Sequence, residues 1–400
     1  MKRHQRTHFV FLNLGHFIDH LLMLVFATAA ALTLAREWGM SYAELIPYAT
    51  PGFVAFGLFS LPAGWLADKW SREGMMLVFF FGIGMSAIAT ALAQSPLQMA
   101  FGLFAIGVFG AIYHPVGIPL VIQGYMKTGL RIAVNGVFGN LGVAVAALLT
   151  GYLVDQSGWR SAFIWPGLVT IVIGAGYAIL VGRGRSEGAS TDAGGASPEN
   201  ATAGEMQLGR HLLIRVFAIV FFSTAIGSLV FQSTTFTLPK IFEERLGDLA
   251  VSATLIGWYA FVVFAIASMG QLVVGYLVDR FSIKTVFVAV AIFQVIFFLA
   301  MIGRVGNVAL LVAIAFMLVV FGQIPINDVL VGRITKSEWR SRAYGLRYVI
   351  GFTVMASAVP MVAWIYARWS SDALFIVLAA AGAGILIAVV MLPRQLAAKA

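Results

Sequence analysis

Long apolar runs separated by short polar breaks occupy nearly the whole chain. Twelve runs stand out, at roughly 9–34, 45–67, 74–94, 97–124, 131–154, 161–182, 212–238, 251–278, 283–303, 307–332, 343–366 and 371–392. Each is long enough to cross a bilayer as a helix, which takes about 20 residues. The runs are continuous and do not alternate over about ten residues, so they predict helices and exclude a transmembrane barrel. One long polar stretch, Arg183 to Arg210, is rich in Gly, Ala, Ser and Thr and has no apolar period. It predicts a flexible linker. The expected organisation is an all-α membrane protein: a six-helix bundle over 1–182, a linker over 183–210 and a second six-helix bundle over 211–400.

Composition supports a lipid environment. Hydrophobic residues make up 60% of the 400-residue chain and charged residues 11%, against about 25% charged in soluble proteins. With no cysteine, disulfides, thiol nucleophiles and Cys-ligated metals are excluded. Lys2, Arg3 and Arg6 mimic the basic start of a signal peptide, but Asn13, His16, Asp19 and His20 interrupt the apolar stretch behind them. The expectation is therefore a first spanning helix that is not cleaved.

The net charge of +9 is a matter of topology. With the N-terminus inside, Arg36, Arg160, Lys240, Arg245, Arg304 and Arg368 fall outside and every other Lys and Arg falls inside. This bias predicts cytoplasmic termini and a multi-pass protein of the cytoplasmic (inner) membrane. It gives no reason to expect a nucleic-acid partner. The expected partners are lipid, protons and a small-molecule substrate, with the chain acting as a monomer.

The halves repeat. Gly64-Trp-Leu-Ala-Asp68 is followed by Arg72, and Gly275-Tyr-Leu-Val-Asp279 by Arg280; Gly64 and Gly275 are 211 residues apart, as are Asp68 and Asp279. Arg131 and Arg342 keep the same offset, and Phe109-Gly110 answers Phe321-Gly322 one residue further on. A six-helix repeat in the same orientation is a carrier architecture, in which the halves rock about a site near the midplane.

These paired Gly-x-Leu-x-Asp loops, set in twelve spans, resemble the major facilitator superfamily over the whole chain. Gly15-His16-Phe17-Ile18-Asp19, Tyr113-His114-Pro115 and Gly136-Val137-Phe138-Gly139-Asn140-Leu141-Gly142 are similar to that superfamily's fosmidomycin-resistance branch. Val116 stands where the branch commonly has a Glu. The superfamily resemblance implies two pseudo-symmetric bundles and alternating access around a central cavity. It also implies a gating role for Gly64, Asp68, Arg72, Gly275, Asp279, Arg280, Arg131 and Arg342. Each Asp would pair with a nearby Arg or a helix N-terminus and release as the halves move, with the glycines allowing close backbone approach. An interfacial cap with a snorkelling basic neighbour is the alternative for these loops.

Ionisable groups at membrane depth cost about 2.5–3.5 kcal/mol on insertion, so each marks a candidate site. The first helix carries Asn13, His16, Asp19 and His20; the fourth carries His114. His16 and His20 are four apart and share a helix face, which Asp19 adjoins. In the superfamily the first and fourth helices line the cavity, so the resemblance brings His114 to this group. Asp19 and His114 are expected to form a proton-linked pair, with His16 and His20 tuning it or binding substrate. A structural His-to-carbonyl network is the alternative for the first helix, and a carbonyl freed by Pro115 is the alternative partner for His114. Asn140, Gln323, Asn327 and Asp328 complete the candidate cavity, although interhelical hydrogen bonding accounts for the amides equally well. The Gly136, Gly139 and Gly142 stripe predicts a tight helix contact, and Arg215 and Arg347 read as snorkelling side chains near helix ends.

The functional expectation is a proton-coupled secondary carrier for a small organic molecule. It is not an enzyme, and it needs no cofactor beyond the proton gradient. The branch resemblance implies efflux by antiport. The alternatives are import of a small organic anion, or of a transition metal through His16 and His20 with Met23 one turn on. No Gly-x4-Gly-Lys-Ser/Thr motif is present for ATP.

Overall fold

The structure, a computed structural model, describes residues 3–123, 129–188, 210–335 and 337–393. Among them, twelve helices are long and apolar enough to cross a membrane. They are α1 (Gln5–Glu37), α2 (Tyr42–Lys69), α3 (Arg72–Thr90), α4 (Pro96–Ile122), α5 (Arg131–Ser157), α6 (Trp159–Gly182), α7 (His211–Arg245), α8 (Ala253–Arg280), α9 (Ile283–Met301), α10 (Gly306–Val331), α11 (Val349–Arg368) and α12 (Ser371–Val390).

Hydropathy located the apolar centres but not the polar ends. The helix of α7 runs well past residue 238 because Lys240 pairs with Glu243 at 2.5 Å and Glu244 at 3.5 Å along its own surface, the spacing that supports an exposed helical turn. The helix of α6 continues to Gly188, so the start of the stretch read as linker is helical; residues 189–209 lie outside the described residues.

Helix starts follow from serine caps. Ser71 Oγ accepts from the Gly74 N–H at 3.0 Å to open α3, and Ser282 Oγ accepts from the Thr285 N–H at 3.1 Å to open α9. Each satisfies one of the backbone donors a helix start leaves free. Ser71 and Ser282 keep the offset of the Gly-x-Leu-x-Asp loops, so the repeat extends into capping chemistry.

Packing repeats as well. In the first half α1 packs on α5, α2 on α4 and α3 on α6; in the second α7 packs on α11, α8 on α10 and α9 on α12. Close approach needs small residues. A Cβ at Gly107 of α4 would collide with the Gly52 carbonyl of α2, so side chains there would separate the two helices. The stripe on α5 behaves as predicted at Gly139 and Gly142, which lie against His16 and the Phe17 carbonyl of α1. Gly136 faces open space and makes no such contact.

Two helices contain a π-helical segment, Ala30–Leu34 in α1 and Tyr113–Gly117 in α4. The second has a visible cause: Pro115 lacks an N–H and clashes with the preceding turn, which widens the ladder.

The chain forms two compact units. One holds the described residues of Met1–Ala29 and Tyr48–Ala201; the other holds Ala30–Pro47 and the described residues of Thr202–Ala400. The short segment 30–47 therefore packs with the second unit, although in sequence it lies in the first half. Tyr42 sets its ring edge against Tyr366 of α11, centroids 5.3 Å apart, and lies under the Lys240 ammonium of α7 at 5.8 Å.

Within the second unit, buried Arg245 ties three helices together. Its guanidinium donates to the Met301 carbonyl at 2.6 Å, to Asp372 Oδ1 at 2.6 Å and to Ser371 Oγ at 2.9 Å. Asp372 Oδ1 also accepts from the Gly303 N–H at 2.9 Å. Asp372 is partly exposed, which weakens the ion pair itself. Arg245→Ala is expected to cost about 2 kcal/mol through the lost charge-assisted hydrogen bonds, read as a lowered thermal midpoint of the full chain in detergent. An unchanged midpoint contradicts the tie.

Candidate functional site

The site grows from one face of α1. Asn13, His16 and Asp19 are buried, with Asp19 only 1% exposed. Asn135 of α5 organises them. Its side-chain amide donates to Asn13 Oδ1 at 2.9 Å and to the Tyr113 hydroxyl at 2.8 Å, and that hydroxyl donates to the Leu12 carbonyl at 2.8 Å. Its backbone carbonyl lies 2.8 Å from His16 Nδ1. A carbonyl only accepts, so Nδ1 carries the proton and Nε2 presents a lone pair.

That lone pair faces His20 Nε2 at 3.2 Å, and His20 is the donor. The His16 ring is held on both faces. Tyr113 stacks on it with centroids 4.8 Å apart and planes 18° apart. On the other side is Gly139, where a Cβ would stand 2.6 Å from Nε2.

The π-turn of α4 brings His114 to this cluster. Its ring lies edge-on to His16 (5.3 Å, 90°), to His20 (5.7 Å, 82°) and to Phe56 of α2 (5.8 Å, 82°). His114 Nε2 is 3.5 Å from Asp19 Oδ2, and the His114 side chain is 13% exposed. Neither Asp19 oxygen has a hydrogen-bond partner among the described residues, and the Gly110 backbone of α4 closes the space beside Oδ1. Charge in such a place must be neutralised or compensated, since an unpaired buried ion costs several kcal/mol. The structure thus brings together Asn13, His16, Asp19, His20 and His114. Asn140, further along α5 and buried, makes no hydrogen bond among the described residues.

The second unit holds the other predicted polar residues in two separate arrangements. Gln294 of α9 donates to Gln323 Oε1 at 2.7 Å, Gln323 Nε2 donates to the Ser223 carbonyl at 3.2 Å, and Ser223 Oγ donates to Asn327 Oδ1 at 3.2 Å. This chain joins α7, α9 and α10, so Gln323 and Asn327 have interhelical partners. Asp328 pairs with Arg347, which lies on the helix that continues into α11. Arg347 is therefore not a snorkelling side chain: it is buried and ion-paired. An ion pair reduces the cost of burial that position along a helix alone would assign.

The paired loops diverge. Asp68 accepts from Arg72 at 2.8 Å, and a Cβ on Gly64 would stand 3.2 Å from Pro115 of α4. Asp279 makes no hydrogen bond or ion pair among the described residues, Arg280 lies over its own helix's Tyr276 at 4.9 Å, and Gly275 faces open space. Close approach thus holds at Gly64 and not at Gly275. Arg131 donates to the Val121 carbonyl at 2.7 Å and covers the Phe9 ring at 3.9 Å, which joins α4, α5 and α1. The side chain of Arg342 lies outside the described residues.

From sequence Asn135 reads as an amide that bonds across helices, and it does so; its three partners were not legible, because an amide in a membrane helix has many possible ones. Sequence reasoning missed Gln294, which sits in an apolar run with no motif around it.

Comparison with known proteins places this geometry in context. The family model described as Major Facilitator Superfamily matches residues 12–247 and 220–399. A gallate transporter of Pseudomonas putida is 26% identical over 144 residues, 35% of this chain and 32% of that protein. The niacin transporter NiaP of Acinetobacter baylyi is 27% identical over 144 residues, 35% of this chain and 33% of that protein. The 4-hydroxybenzoate transporter PcaK of Pseudomonas aeruginosa is 23% identical over 278 residues, 62% of this chain and 61% of that protein. The matched region thus spans about a third of two of these relatives and under two thirds of the third. Among solved structures, a bacterial homologue of the human lysosomal transporter Spinster superposes with a TM-score of 0.73 at 14% identity, covering 99% of this chain and 96% of that one. A POT family transporter in complex with 5-aminolevulinic acid gives 0.74 at 12% identity, covering 98% and 96%. These likenesses show the fold.

The hydrogen-bond network fixes a tautomer. Nitrogen-15 NMR of histidine-labelled protein is expected to show His16 as the Nδ1–H form; an Nε2–H form contradicts the Asn135 contact.

Proposed function

The chain belongs to the major facilitator superfamily, and from that premise we propose that it is a proton-coupled secondary carrier of a small organic anion. The observation that carries the coupling is Asp19: a carboxyl group buried in the first unit, with no hydrogen-bond partner among the described residues and an imidazole 3.5 Å away. A lone carboxylate at this depth is unfavourable. A proton removes its charge, and His114 is the group placed to deliver or accept that proton. His16 and His20 are connected to it through the ring contacts already described and tune the pair.

The substrate class draws on the relatives, named for gallate, niacin and 4-hydroxybenzoate. Arg347, a buried cation of the second unit that is paired with Asp328, suits exchange of that partner for a substrate carboxylate. Efflux by antiport is the second reading, favoured by the resemblance of the Gly15–Asp19 and Tyr113-His114-Pro115 segments to the fosmidomycin-resistance branch. In either direction the duplicated halves supply alternating access, with Asp68 and Arg72 as an ion pair that forms and breaks in the cycle. The assignment includes the cytoplasmic membrane with both termini inside, on the Lys and Arg distribution.

Two experiments test this. In sealed vesicles containing purified protein, Asp19→Asn is expected to abolish uptake of an aromatic carboxylate driven by a pH gradient while binding persists; full gradient-driven uptake by the variant removes Asp19 from the role. Asp68→Ala is expected to slow turnover several-fold with a small change in binding affinity. Collapse of affinity at unchanged turnover overturns its gating assignment.

A further inference from the structure

We propose that His16, His20 and His114 bind a divalent first-row transition cation, with Asp19 supplying compensating negative charge beside it. One ligand nitrogen from each histidine falls within 4.8 Å of the others. His16 Nε2 and His20 Nε2 are 3.2 Å apart; a cation takes the place of the proton between them, which moves to His20 Nδ1 by the tautomer change open to a neutral imidazole. Two nitrogens bound at about 2.0–2.1 Å to one tetrahedral ion stand about 3.3–3.4 Å apart, so this pair already has the spacing of two ligands. Four-residue spacing on α1 holds both on one face.

The surroundings match what a metal-bound imidazole needs. Histidine ligands commonly donate their second ring N–H to a carbonyl or carboxylate, which fixes the tautomer and the ring direction. His16 does this through Nδ1 to the Asn135 carbonyl at 2.8 Å. Tyr113 and Gly139 flank the faces of its ring and leave the in-plane lone pair of Nε2 aimed at His20. His114 approaches both rings edge-on, with one of its nitrogens within 4.8 Å of theirs.

Asp19 gives the second, independent observation. It is 1% exposed, both its oxygens lack hydrogen-bond partners among the described residues, and Oδ2 is 3.5 Å from His114 Nε2. A carboxyl oxygen without a hydrogen-bond donor among the described residues, set beside the His114 edge of a three-imidazole cluster, fits a cation. Three imidazoles and a carboxylate select zinc, cobalt or nickel over magnesium and calcium, which take oxygen ligands. A cation held there occupies the lone pairs and the charge that a proton would otherwise use, so it would arrest a proton-coupled cycle. Binding itself does not depend on the transport reading.

The test uses untagged full-length protein in detergent, stripped with a chelator and titrated with cobalt(II). One equivalent is expected to bind, with the intense visible absorption of a tetrahedral ion. Outer-shell changes at metal sites cost about 10–100-fold in affinity, so His20→Gln or His114→Gln is expected to cost at least about 100-fold. His4→Ala and His8→Ala together are expected to leave binding intact. His114→Cys guards against misfolding: it is expected to retain the ion and add a sulfur-to-cobalt charge-transfer band. Absence of binding, a weak octahedral spectrum, or binding that survives loss of His20 and His114 overturns the proposal. The readout is made on resting protein, so its failure leaves the Asp19→Asn vesicle result standing, and failure of that result leaves this one standing.

Discussion

A carboxyl group with no hydrogen-bond partner among the described residues, buried among membrane-spanning helices, sets the terms for the first unit. Water would solvate Asp19 freely, but at this depth its charge must be met by a proton, a cation or a neighbouring dipole. The protein sets the His114 imidazole beside it, packs that ring against His16 and His20, and fixes His16 with a neutral hydrogen bond. Asn135 holds Asn13, Tyr113 and His16 at once. The network therefore specifies ring direction and tautomer without adding a second charge, the arrangement expected where a buried charge is meant to change hands.

The scaffold makes that placement possible. Pro115 widens one turn of α4 and rotates His114 toward α1. Gly139 lets α5 approach the His16 ring, and Gly110 lets α4 approach Asp19. The second unit repeats the helix pairings but not the chemistry. Its buried polar groups include a Gln294–Gln323–Ser223–Asn327 relay and two ion pairs, Arg347 with Asp328 and Arg245 with Asp372. Duplication thus preserved the mechanical plan, while the titratable cluster belongs to one half.

Much of the plan is readable from the sequence. Twelve apolar runs gave twelve helices because hydrocarbon thickness fixes helix length, and the 211-residue offset marked the two halves. Asn13, His16, Asp19 and His20 were visible as costly residues in an apolar run, and the family resemblance pointed His114 toward them. Other features left no periodic trace. The polar extension of α7 is held by Lys240, Glu243 and Glu244, which hydropathy counts as loop. Arg347 looked exposed because its partner, Asp328, lies on another helix. Asn135 became a hub only because α5 packs against α1. Gly64 and Gly275 occupy the same repeat position, yet only Gly64 has a close neighbour; local sequence could not separate them, since the difference arises in tertiary packing.

The central claim is that a proton moves with the substrate through Asp19. The most direct measurement is the internal pH of vesicles containing the protein, followed with a trapped dye while an aromatic carboxylate is added with no imposed gradient. If Asp19 carries the coupling proton, the dye reports a pH change that tracks substrate flux and disappears in Asp19→Asn. Substrate crossing at the normal rate with the internal pH constant would contradict it.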